Sequence, residues 1–159
     1  MKLLYCFFLF LISCNSNSVK ENKLPLSFEA KVIGIKDGDT FEALYNDRPF
    51  VIRLEHIDCP EKKQPFGKNA KQFASGLCFG KIVTVNNSGK YDRYKRLIAE
   101  IYFNEICINK ELVKNGFAWH FKKYSTNSEY DELEQTARQN KVGLWVDNTP
   151  IAPWDWRAK

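Results

Sequence analysis

The sequence lacks the residue patterns of several common functional classes. It has only two histidines and no Cys-x-x-Cys pair, and this scarcity of clustered nitrogen and sulfur ligands argues against a zinc centre. It has no internal repeat, and its 159 residues suggest a single domain. Its apolar run at residues 3–12 is too short to span a bilayer. What is present is 44% hydrophobic residues, which is enough for a small core and argues against disorder.

The apolar run belongs to an N-terminal segment, MKLLYCFFLFLISC, that we set apart from the folded domain. A lysine followed by a short apolar core is typical of a signal peptide. The residues before Cys14 resemble a bacterial lipobox, and a polar tether, residues 15–26, follows at once. We therefore expect residues 1–14 to be a signal peptide, with the exported protein anchored to a bacterial membrane by a lipid on Cys14. An ordinary cleaved signal, which would give a secreted protein, is the alternative.

Charge and cysteine content leave the partner and the redox state open. The formal net charge is +5, or +4 without Lys2, which is compatible with an anionic partner without establishing one. Beyond Cys14 the chain has three cysteines, an odd number: Cys59, Cys78 and Cys107. A disulfide between Cys78 and Cys107 is open to an exported protein, but sequence does not give the distance between them.

Hydrophobic periodicity predicts an α+β domain. Alternating apolar residues predict five strands, at residues 28–35, 41–45, 50–57, 82–85 and 97–103. Helical spacing predicts three helices: residues 68–78, a helix capped by Asn109 that ends at Gly116, and one that begins at residue 128 and ends before Gly143. Five short strands most readily remove their exposed edges by closing, so we predict an OB-fold β-barrel with three α-helices. The predicted domain covers residues 27–147, and the tryptophans of the tail, 148–159, are expected to pack against it.

Three polar clusters could carry chemistry, and the first is Lys-Asp-Gly-Asp-Thr, residues 36–40, between the first two predicted strands. The oxygen atoms of its aspartates suit a hard cation such as Ca²⁺. The ligand positions of an EF-hand are absent. An Asp-Gly pair is also common in plain hairpin turns, which is the simpler interpretation.

The second cluster is Arg-Leu-Glu-His-Ile-Asp-Cys-Pro-Glu, residues 53–61, where the third predicted strand ends. Asp58 and Glu61 could hold a metal there, and the guanidinium of Arg53 could bind two phosphate oxygens. A simpler interpretation is that Arg53 snorkels to the surface or pairs with Glu55. His56 has no second histidine nearby in the sequence, and we interpret it as a strand-packing residue.

The third cluster is Tyr-Asp-Arg-Tyr-Lys-Arg, residues 91–96, at the end of a predicted polar loop over residues 86–95. Its cations and aromatic rings could meet phosphates and bases. Lys122, Lys123 and Tyr124 could extend the same surface. A solvated basic turn is the simpler interpretation of both segments.

The order of these clusters is more specific than any one of them. Asp39, Arg53, Asp58, Glu61 and Arg96 follow one another on a predicted five-stranded barrel. Together with KDGDT, IRLEHIDCPE, QPFG and its helix, DRYKR, NGFAW and GLW, this set resembles the staphylococcal nuclease-like (thermonuclease) family. The resemblance covers roughly residues 28–146.

The resemblance implies a calcium-dependent phosphodiesterase that cuts DNA and RNA and leaves 3′-phosphate ends. Asp39 and Asp58 match the carboxylates that hold the metal. Glu61 matches the carboxylate that positions the attacking water. Arg53 and Arg96 match the two arginines that stabilise the transition state. The resemblance thus assigns every charged position of the family's site to a residue of this chain.

The remaining matches concern the backbone and the substrate. Cys59 stands where the family has a threonine whose backbone carbonyl binds the metal, so the change of side chain is tolerable. Arg93 and Tyr124 match substrate-side positions, and Tyr94 lies beside Arg93 in the same loop. Lys95 replaces a glycine of the family's loop.

Two other classes of function remain compatible with the sequence. One is a catalytically weak OB-fold nucleic-acid-binding module of the same family, although such modules generally lose the arginines or acidic residues that this chain keeps. The other is a structural or adhesive lipoprotein whose charges only solvate the rim of the barrel. No coiled coil or long exposed apolar segment argues for assembly, so we expect a monomer.

Overall fold

A five-stranded β-barrel forms the centre of the computed structural model, which describes residues 24–158. The strands of the barrel are β1 (Ser27–Asp37), β2 (Thr40–Tyr45), β3 (Arg48–Leu54), β5 (Ile82–Tyr91) and β6 (Leu97–Phe103). Three short strands flank it: β4 (Ile57–Asp58), β7 (Ile106–Cys107) and β8 (Trp119–His120). The sheet order is β3-β2-β1-β5-β6-β7, and β3 also pairs with β6. This closure removes the exposed edges and confirms the predicted OB-fold barrel.

The seam of the barrel is the parallel pairing of β3 with β6. Ile52 lies opposite Leu97, and Arg53 lies opposite Ile98. On its other side, Arg53 lies opposite Thr40 of β2. Closing the seam therefore brings β6, which is distant in the sequence, beside the hairpin of β2 and β3.

Alternating side chains of the strands fill the interior of the barrel. Val32, Phe41, Ile52, Val85 and Ile101 are each 0% exposed. Burying an aliphatic or aromatic side chain of this size stabilises the fold by about 1.5–3 kcal/mol relative to leaving it exposed. The apolar alternation that predicted the strands is therefore the pattern of burial in the core.

The helices pack around the closed barrel. They are α1 (Gly67–Cys78), α2 (Ile108–Lys114), α3 (Ser128–Gln139), a 3₁₀ helix (Gly143–Val146) and α4 (Pro153–Arg157). The small buried residues of α1, among them Ala70 and Ala74, let this helix lie close to β1. Asn127 caps α3 because its side-chain oxygen accepts a hydrogen bond from the N–H of Glu129. The first three α-helices match the prediction, and α4 was not predicted.

The predicted cap of α2 is wrong. Asn109 is buried inside α2, and its side chain bonds to the barrel instead of to the helix. Its Nδ2 donates to the carbonyls of Glu55 at 3.0 Å and Ala99 at 3.2 Å, and its Oδ1 accepts from the N–H of Ile101 at 3.1 Å. The asparagine thus joins α2 to β6 and to the bend after β3.

The ends of β3 and β5 differ most from those predicted. β3 ends at Leu54 instead of residue 57, because the chain bends at His56, where φ is +70°. β5 continues to Tyr91, through most of the segment predicted as a polar loop. Its outer half is polar and largely exposed, so it carries no apolar alternation, and Gly89 in this half has a φ of +72°.

The prediction that His56 is a strand-packing residue is wrong. Its ring Nδ1 lies 2.9 Å from the hydroxyl of Ser125, and its ring packs on Tyr130 with 4.9 Å between centroids. Nε2 of His120 lies 2.8 Å from the same hydroxyl. One serine therefore joins both histidines and ties the bend before β4 to the segment before α3.

The C-terminal segment folds back onto the domain, as expected for its tryptophans. The ring of Trp154 stacks on Phe121 with 5.3 Å between centroids, and meets Trp119 edge-on at 5.6 Å. Nε2 of Gln64 donates to the carbonyl of Ile151 at 2.7 Å. These contacts fix α4 against the barrel.

The predicted signal peptide, Cys14 and most of the tether lie outside the described residues. Across residues 24–158, the helices are all too short or too polar to cross a bilayer. Cys59, Cys78 and Cys107 are buried free thiols, so no disulfide joins the last two. Burial raises the pKa of the Cys78 thiol to about 12, which keeps it protonated and unreactive near neutral pH.

Candidate active site

The turn between β1 and β2 brings Asp39 against the chain that follows β4. Its Oδ2 accepts a hydrogen bond from the backbone N–H of Cys59 at 2.7 Å, and its Oδ1 accepts one from the hydroxyl of Thr40 at 3.2 Å. Gly38 permits this approach, since a Cβ there would lie 2.8 Å from Sγ of Cys59 and 2.9 Å from Cβ of Ala70. The Asp-Gly-Asp segment therefore not only connects β1 to β2 but also packs against Cys59 and α1.

Replacing Gly38 by alanine is expected to lower the free energy of unfolding by about 1–3 kcal/mol, the usual cost of overpacking. The new methyl group would push the turn away from both Cys59 and α1. Urea unfolding would measure the loss. Gly76→Ala is the matched control, because nothing lies within 4 Å of the added Cβ, and this helical change should stabilise by roughly 0.5–1 kcal/mol. Equal stability of the two variants would show that the turn does not need its close contact.

Arg53 joins the two predicted metal-binding aspartates. Its Nη2 lies 2.8 Å from Oδ1 of Asp58 and 3.3 Å from Oδ2 of Asp39. Its Nη1 donates to the carbonyls of Leu54 and Ile57, both at 2.8 Å. The side chain is only 14% exposed, so the interpretation in which it snorkels to the surface is wrong. Four acceptors hold the guanidinium in one place and one orientation.

Glu61 stands at the edge of this cluster on a firmly held backbone. Its N–H donates to Oε1 of Gln64 at 3.0 Å, and its carbonyl accepts from the N–H of Gln64 at 2.8 Å. Gly67 lies so close that a Cβ there would be 1.9 Å from the same carbonyl oxygen. The Glu61 side chain is 37% exposed, whereas that of Asp58 is 2% exposed. The site thus offers one carboxylate to solvent beside a buried one.

Arg96 is fixed at the start of β6 by Asp92. Its Nε and Nη2 each lie 2.7 Å from Oδ2 of Asp92, and its N–H donates to Oδ1 of Asp92 at 2.9 Å. Its Nη1 donates to the hydroxyl of Thr40 at 3.0 Å. Since Thr40 contacts Asp39 and lies opposite Arg53 in the sheet, both arginines lie at the same end of the barrel.

The loop between β5 and β6 presents Arg93 and Tyr94 to solvent. Tyr94 is 64% exposed, and its hydroxyl accepts a hydrogen bond from Nη2 of Arg93 at 2.7 Å. The guanidinium groups of Arg93 and Arg96 lie 4.7 Å and 5.4 Å from the centroid of this ring. Lys95 has a φ of +60°, a conformation that favours glycine, at the position where the resemblance places one.

Tyr124 is a second exposed tyrosine, on the segment between β8 and α3. It is 72% exposed and meets Phe121 edge-on with 4.9 Å between ring centroids. The ammonium of Lys123 lies 5.5 Å from its ring centroid. Since Phe121 also stacks on Trp154, Tyr124 belongs to the aromatic surface beside the C-terminal segment.

Arg157 is a residue of the site that sequence reasoning missed. Its Nη2 lies 2.7 Å from Oδ2 of Asp58, and its Nη1 lies 2.7 Å from Oε1 of Glu61 and 3.3 Å from Oδ1 of Asp58. The only signal in the sequence is an arginine that closes the Trp-Asp-Trp-Arg run. Its distance along the chain from the other charged clusters conceals its place in the site.

Burial and neighbouring charges shift the pKa values of the charged groups in the site. Burial and the charge of Asp39 raise the pKa of Asp37 to about 6. Burial also raises the pKa of Asp58, against the hydrogen bond from Arg157. Burial disfavours the charged form of Arg53, but Asp39 and Asp58 outweigh it, so its pKa is raised. A site that packs carboxylates this closely is stabilised by cations.

The donor set fits a hard cation. Oxygen atoms of Asp39 and Asp58 converge on one nitrogen of Arg53, and carboxylate oxygens are the ligands that Ca²⁺ prefers. Burial raises the pKa of the Cys59 thiol well above its usual range, which leaves its backbone carbonyl as the group it could offer. Within residues 24–158 no three side chains of His, Cys, Asp or Glu are grouped to hold a metal. Carbonyl and water oxygens would have to complete the shell around the two aspartates.

A continuous chain of contacts joins the five predicted catalytic and metal-binding side chains. It runs from Arg96 through Thr40 to Asp39, Arg53 and Asp58, and then through Arg157 to Glu61. Two fixed guanidinium groups can bind an anionic oxygen, the aspartates can hold a cation, and the exposed carboxylate can orient or deprotonate a water. This combination suits hydrolysis at an anionic centre.

Comparison with known proteins agrees with the fold. The family model described as "Staphylococcal nuclease homologue" matches residues 51–147. A protein of Haemophilus influenzae named "uncharacterized endonuclease" is 41% identical over 130 residues, which are 81% of this chain and 72% of that protein. One of the same name in Escherichia coli O157:H7 is 38% identical over 137 residues, 86% of this chain and 89% of that protein.

The similarity extends to plants. A rice protein (Oryza sativa subsp. japonica) named as a probable staphylococcal-like nuclease is 36% identical over 127 residues. Those residues are 80% of this chain but 33% of the rice protein. The shared part therefore includes the barrel strands and loops that carry the site.

Proposed function

The chain belongs to the staphylococcal nuclease family and is a nuclease that hydrolyses phosphodiester bonds, and we propose that it is a calcium-dependent endonuclease of DNA and RNA. The observation that carries this proposal is the guanidinium of Arg53 held between Asp39 and Asp58. Arg96 joins this cluster through Thr40, and Glu61 joins it through Arg157. The products would carry 3′-phosphate ends, as the resemblance to the family implies.

The residues of the site divide the chemistry among themselves. Charge builds up on the phosphate oxygens during attack, and Arg53 and Arg96 would stabilise it with donors that need no reorganisation. Glu61 would position the attacking water and accept its proton, which is why an exposed carboxylate beside buried charges matters. Asp39 and Asp58, with the carbonyl of Cys59, would hold the cation. A bound Ca²⁺ would polarise the phosphate and add positive charge where negative charge develops.

The exposed groups around the site suit a polyanionic substrate. Arg93 and Tyr94 offer a cation and an aromatic face on the β5–β6 loop, and Tyr124 offers a second exposed ring. Bases stack on such rings with little dependence on sequence, and phosphates pair with the cations. We therefore propose these three residues as substrate-binding groups.

A basic cleft on α1 supports the same substrate. Its volume is about 460 Å³, and its lining includes Asp37 and four lysines: Lys36, Lys62, Lys68 and Lys71. We call it the lysine cleft. Among residues 24–158, none of these four lysines forms an ion pair, so they are free to neutralise phosphates. A single strand could leave the scissile position along this cleft.

Changing Lys68 and Lys71 together to glutamine is expected to raise KM for long single-stranded DNA and leave kcat unchanged. The slope of log KM against the logarithm of the salt concentration should fall by about one for each phosphate that the variant no longer neutralises. The KM for a dinucleotide substrate should be unaffected. Steady-state kinetics over a salt series would measure this. The control is Lys31→Gln with Lys81→Gln, an equal reduction of charge on β1 and the start of β5. Equal salt slopes in both double variants would rule out a strand path along the cleft.

The proposed function is tested by digestion of single-stranded DNA and of RNA with the detergent-solubilised full chain in Ca²⁺, Mg²⁺ or EDTA. We expect cutting with Ca²⁺, none with EDTA, and products that a 3′-phosphatase converts into primers for a polymerase. Retention of oligonucleotides in a gel shift, without cutting under any divalent cation, would favour a binding module. Cutting that persists in EDTA would contradict calcium dependence.

We also propose that the protein is exported and anchored to a membrane by a lipid on Cys14, and that it acts as a monomer. The proposed export and anchor rest on the sequence of residues 1–14 alone. Cys14→Ser should move the protein from the membrane fraction to the soluble fraction and abolish labelling by an alkynyl fatty acid. Unchanged fractionation and labelling would contradict the anchor.

A further inference from the structure

The C-terminal helix α4 carries a cation into the centre of the site. The guanidinium of Arg157 contacts both oxygens of Asp58 and one oxygen of Glu61, at 2.7 to 3.3 Å. It therefore touches one residue proposed to hold the metal and the residue proposed to act on water. The other contacts that hold α4, the ring contacts of Trp154 and the hydrogen bond from Gln64 to Ile151, involve no charged group.

Arg157 and Arg53 together occupy most of the lone pairs of Asp58. A carboxylate offers about four acceptor positions. Oδ1 of Asp58 accepts from Arg53 at 2.8 Å and from Arg157 at 3.3 Å, and Oδ2 accepts from Arg157 at 2.7 Å. A divalent cation that binds Asp58 must share these oxygens with a fixed positive charge. The two cations repel each other at contact distance, and the repulsion is strong where water is partly excluded.

We propose that Arg157 is an internal competitor of the divalent cation: it neutralises Asp58 and Glu61 when the metal is absent and is displaced when the metal binds. This inference rests on the proposed metal-binding role of Asp58. Displacement frees the carboxylate of Glu61 for water at the same moment that the cation arrives. Asp58 thus exchanges one cation for another and is never left with an unpaired charge in a buried position, a state that is strongly destabilising.

The attachment of α4 suits a contact that can be released. The Arg157 side chain is 43% exposed, so solvent can replace its hydrogen bonds at low cost. α4 has only five residues, too few to be stable as an isolated helix. It is held by the stack of Trp154 on Phe121 and by the hydrogen bond from Gln64 to Ile151. Weakening the stack should therefore weaken the competition without touching any carboxylate.

The test is isothermal titration of the detergent-solubilised full chain with Ca²⁺ alone. Arg157→Gln should bind Ca²⁺ about tenfold more tightly, since removing one positive charge beside a divalent ion is worth roughly this factor at high effective dielectric. Arg157→Lys keeps the charge and should stay closer to wild type. Arg48→Gln removes the same charge from an exposed position at the start of β3 and should leave the affinity unchanged. Circular dichroism would establish that each variant is folded.

Trp154→Ala is the second variant, because it leaves Arg157 and both carboxylates intact. It should shift Ca²⁺ affinity in the same direction as Arg157→Gln, and by less. Unchanged or weaker affinity in both variants, with wild type still binding Ca²⁺, would overturn the competition and leave the proposed nuclease standing. Failure of every variant to bind Ca²⁺ would overturn the competition together with the metal assignment, whatever the outcome of the digestion assay.

Discussion

Arg53→Lys is expected to lower kcat for phosphodiester hydrolysis by about 10²–10³, the usual cost of removing one preorganised donor to a developing anion. Lysine keeps the positive charge but not the planar fork. The Arg53 fork donates to the carbonyls of Leu54 and Ile57 and to both aspartates at once. A single ammonium group cannot keep all four contacts and still face a phosphate oxygen. Steady-state kinetics on single-stranded DNA would give the change in kcat and KM separately.

The control for this change lies on the same strand. Arg48→Lys alters an exposed arginine at the opposite end of β3 and should leave kcat within a factor of about two, since surface substitutions of this kind are usually close to neutral. The lysine variant at Arg53 should keep a cooperative unfolding transition. If it stays folded and retains more than a tenth of the wild-type kcat, the role of Arg53 is to neutralise the aspartates and not to bind the phosphate.

Glu61→Gln is expected to lower kcat by about 10²–10⁴, the contribution typical of general acid–base catalysis. The amide keeps the size of the side chain and can still accept the hydrogen bond from Arg157, but it cannot take a proton from water. Stability should change by less than about 0.5 kcal/mol, because the side chain is 37% exposed at the edge of the site. A single-turnover experiment would separate the loss in the chemical step from any change in binding.

Glu132→Gln on the exposed face of α3 removes the same charge and is expected to be neutral in kcat and in stability. The comparison of the two variants separates the effect of the carboxylate's position from the effect of the protein's net charge. A Glu61→Gln enzyme with near wild-type kcat would mean that the water is activated by another group of the site. It would leave the assignments of Arg53 and Arg96 unaffected.

Much of the fold could be predicted because apolar periodicity reports burial. β1, β2, β6 and α1 each place apolar residues at the spacing of their inward face. The outer half of β5 could not be predicted, since its side chains lie mostly in solvent and its hydrogen bonds alone make it a strand. The short helix α4 also escaped prediction, because it depends on the packing of Trp154 on residues far away in the sequence.

The candidate site shows the same division between local and distant signals. Asp39, Arg53, Asp58 and Glu61 come from two short segments whose order carries the resemblance to the family, and that resemblance implies that they share one site. Arg157 reaches Asp58 only because the chain beyond α3 returns to the barrel. Sequence reasoning interprets a charge through its neighbours, and here the relevant neighbour is 99 positions away.

The parallel seam of the barrel also decides when activity can first appear during folding. Arg53 lies on β3, and Arg96 directly precedes the residue of β6 that pairs with Ile52. Pairing two strands so distant in the sequence carries a large loop-closure cost and is intrinsically slow to form. A chain that is only partly collapsed has not brought Arg53 and Arg96 to the same end of the barrel and cannot hydrolyse nucleic acid. The protein can therefore be active only once the barrel is complete. An unfolded chain is inactive even though no inhibitor is bound to it.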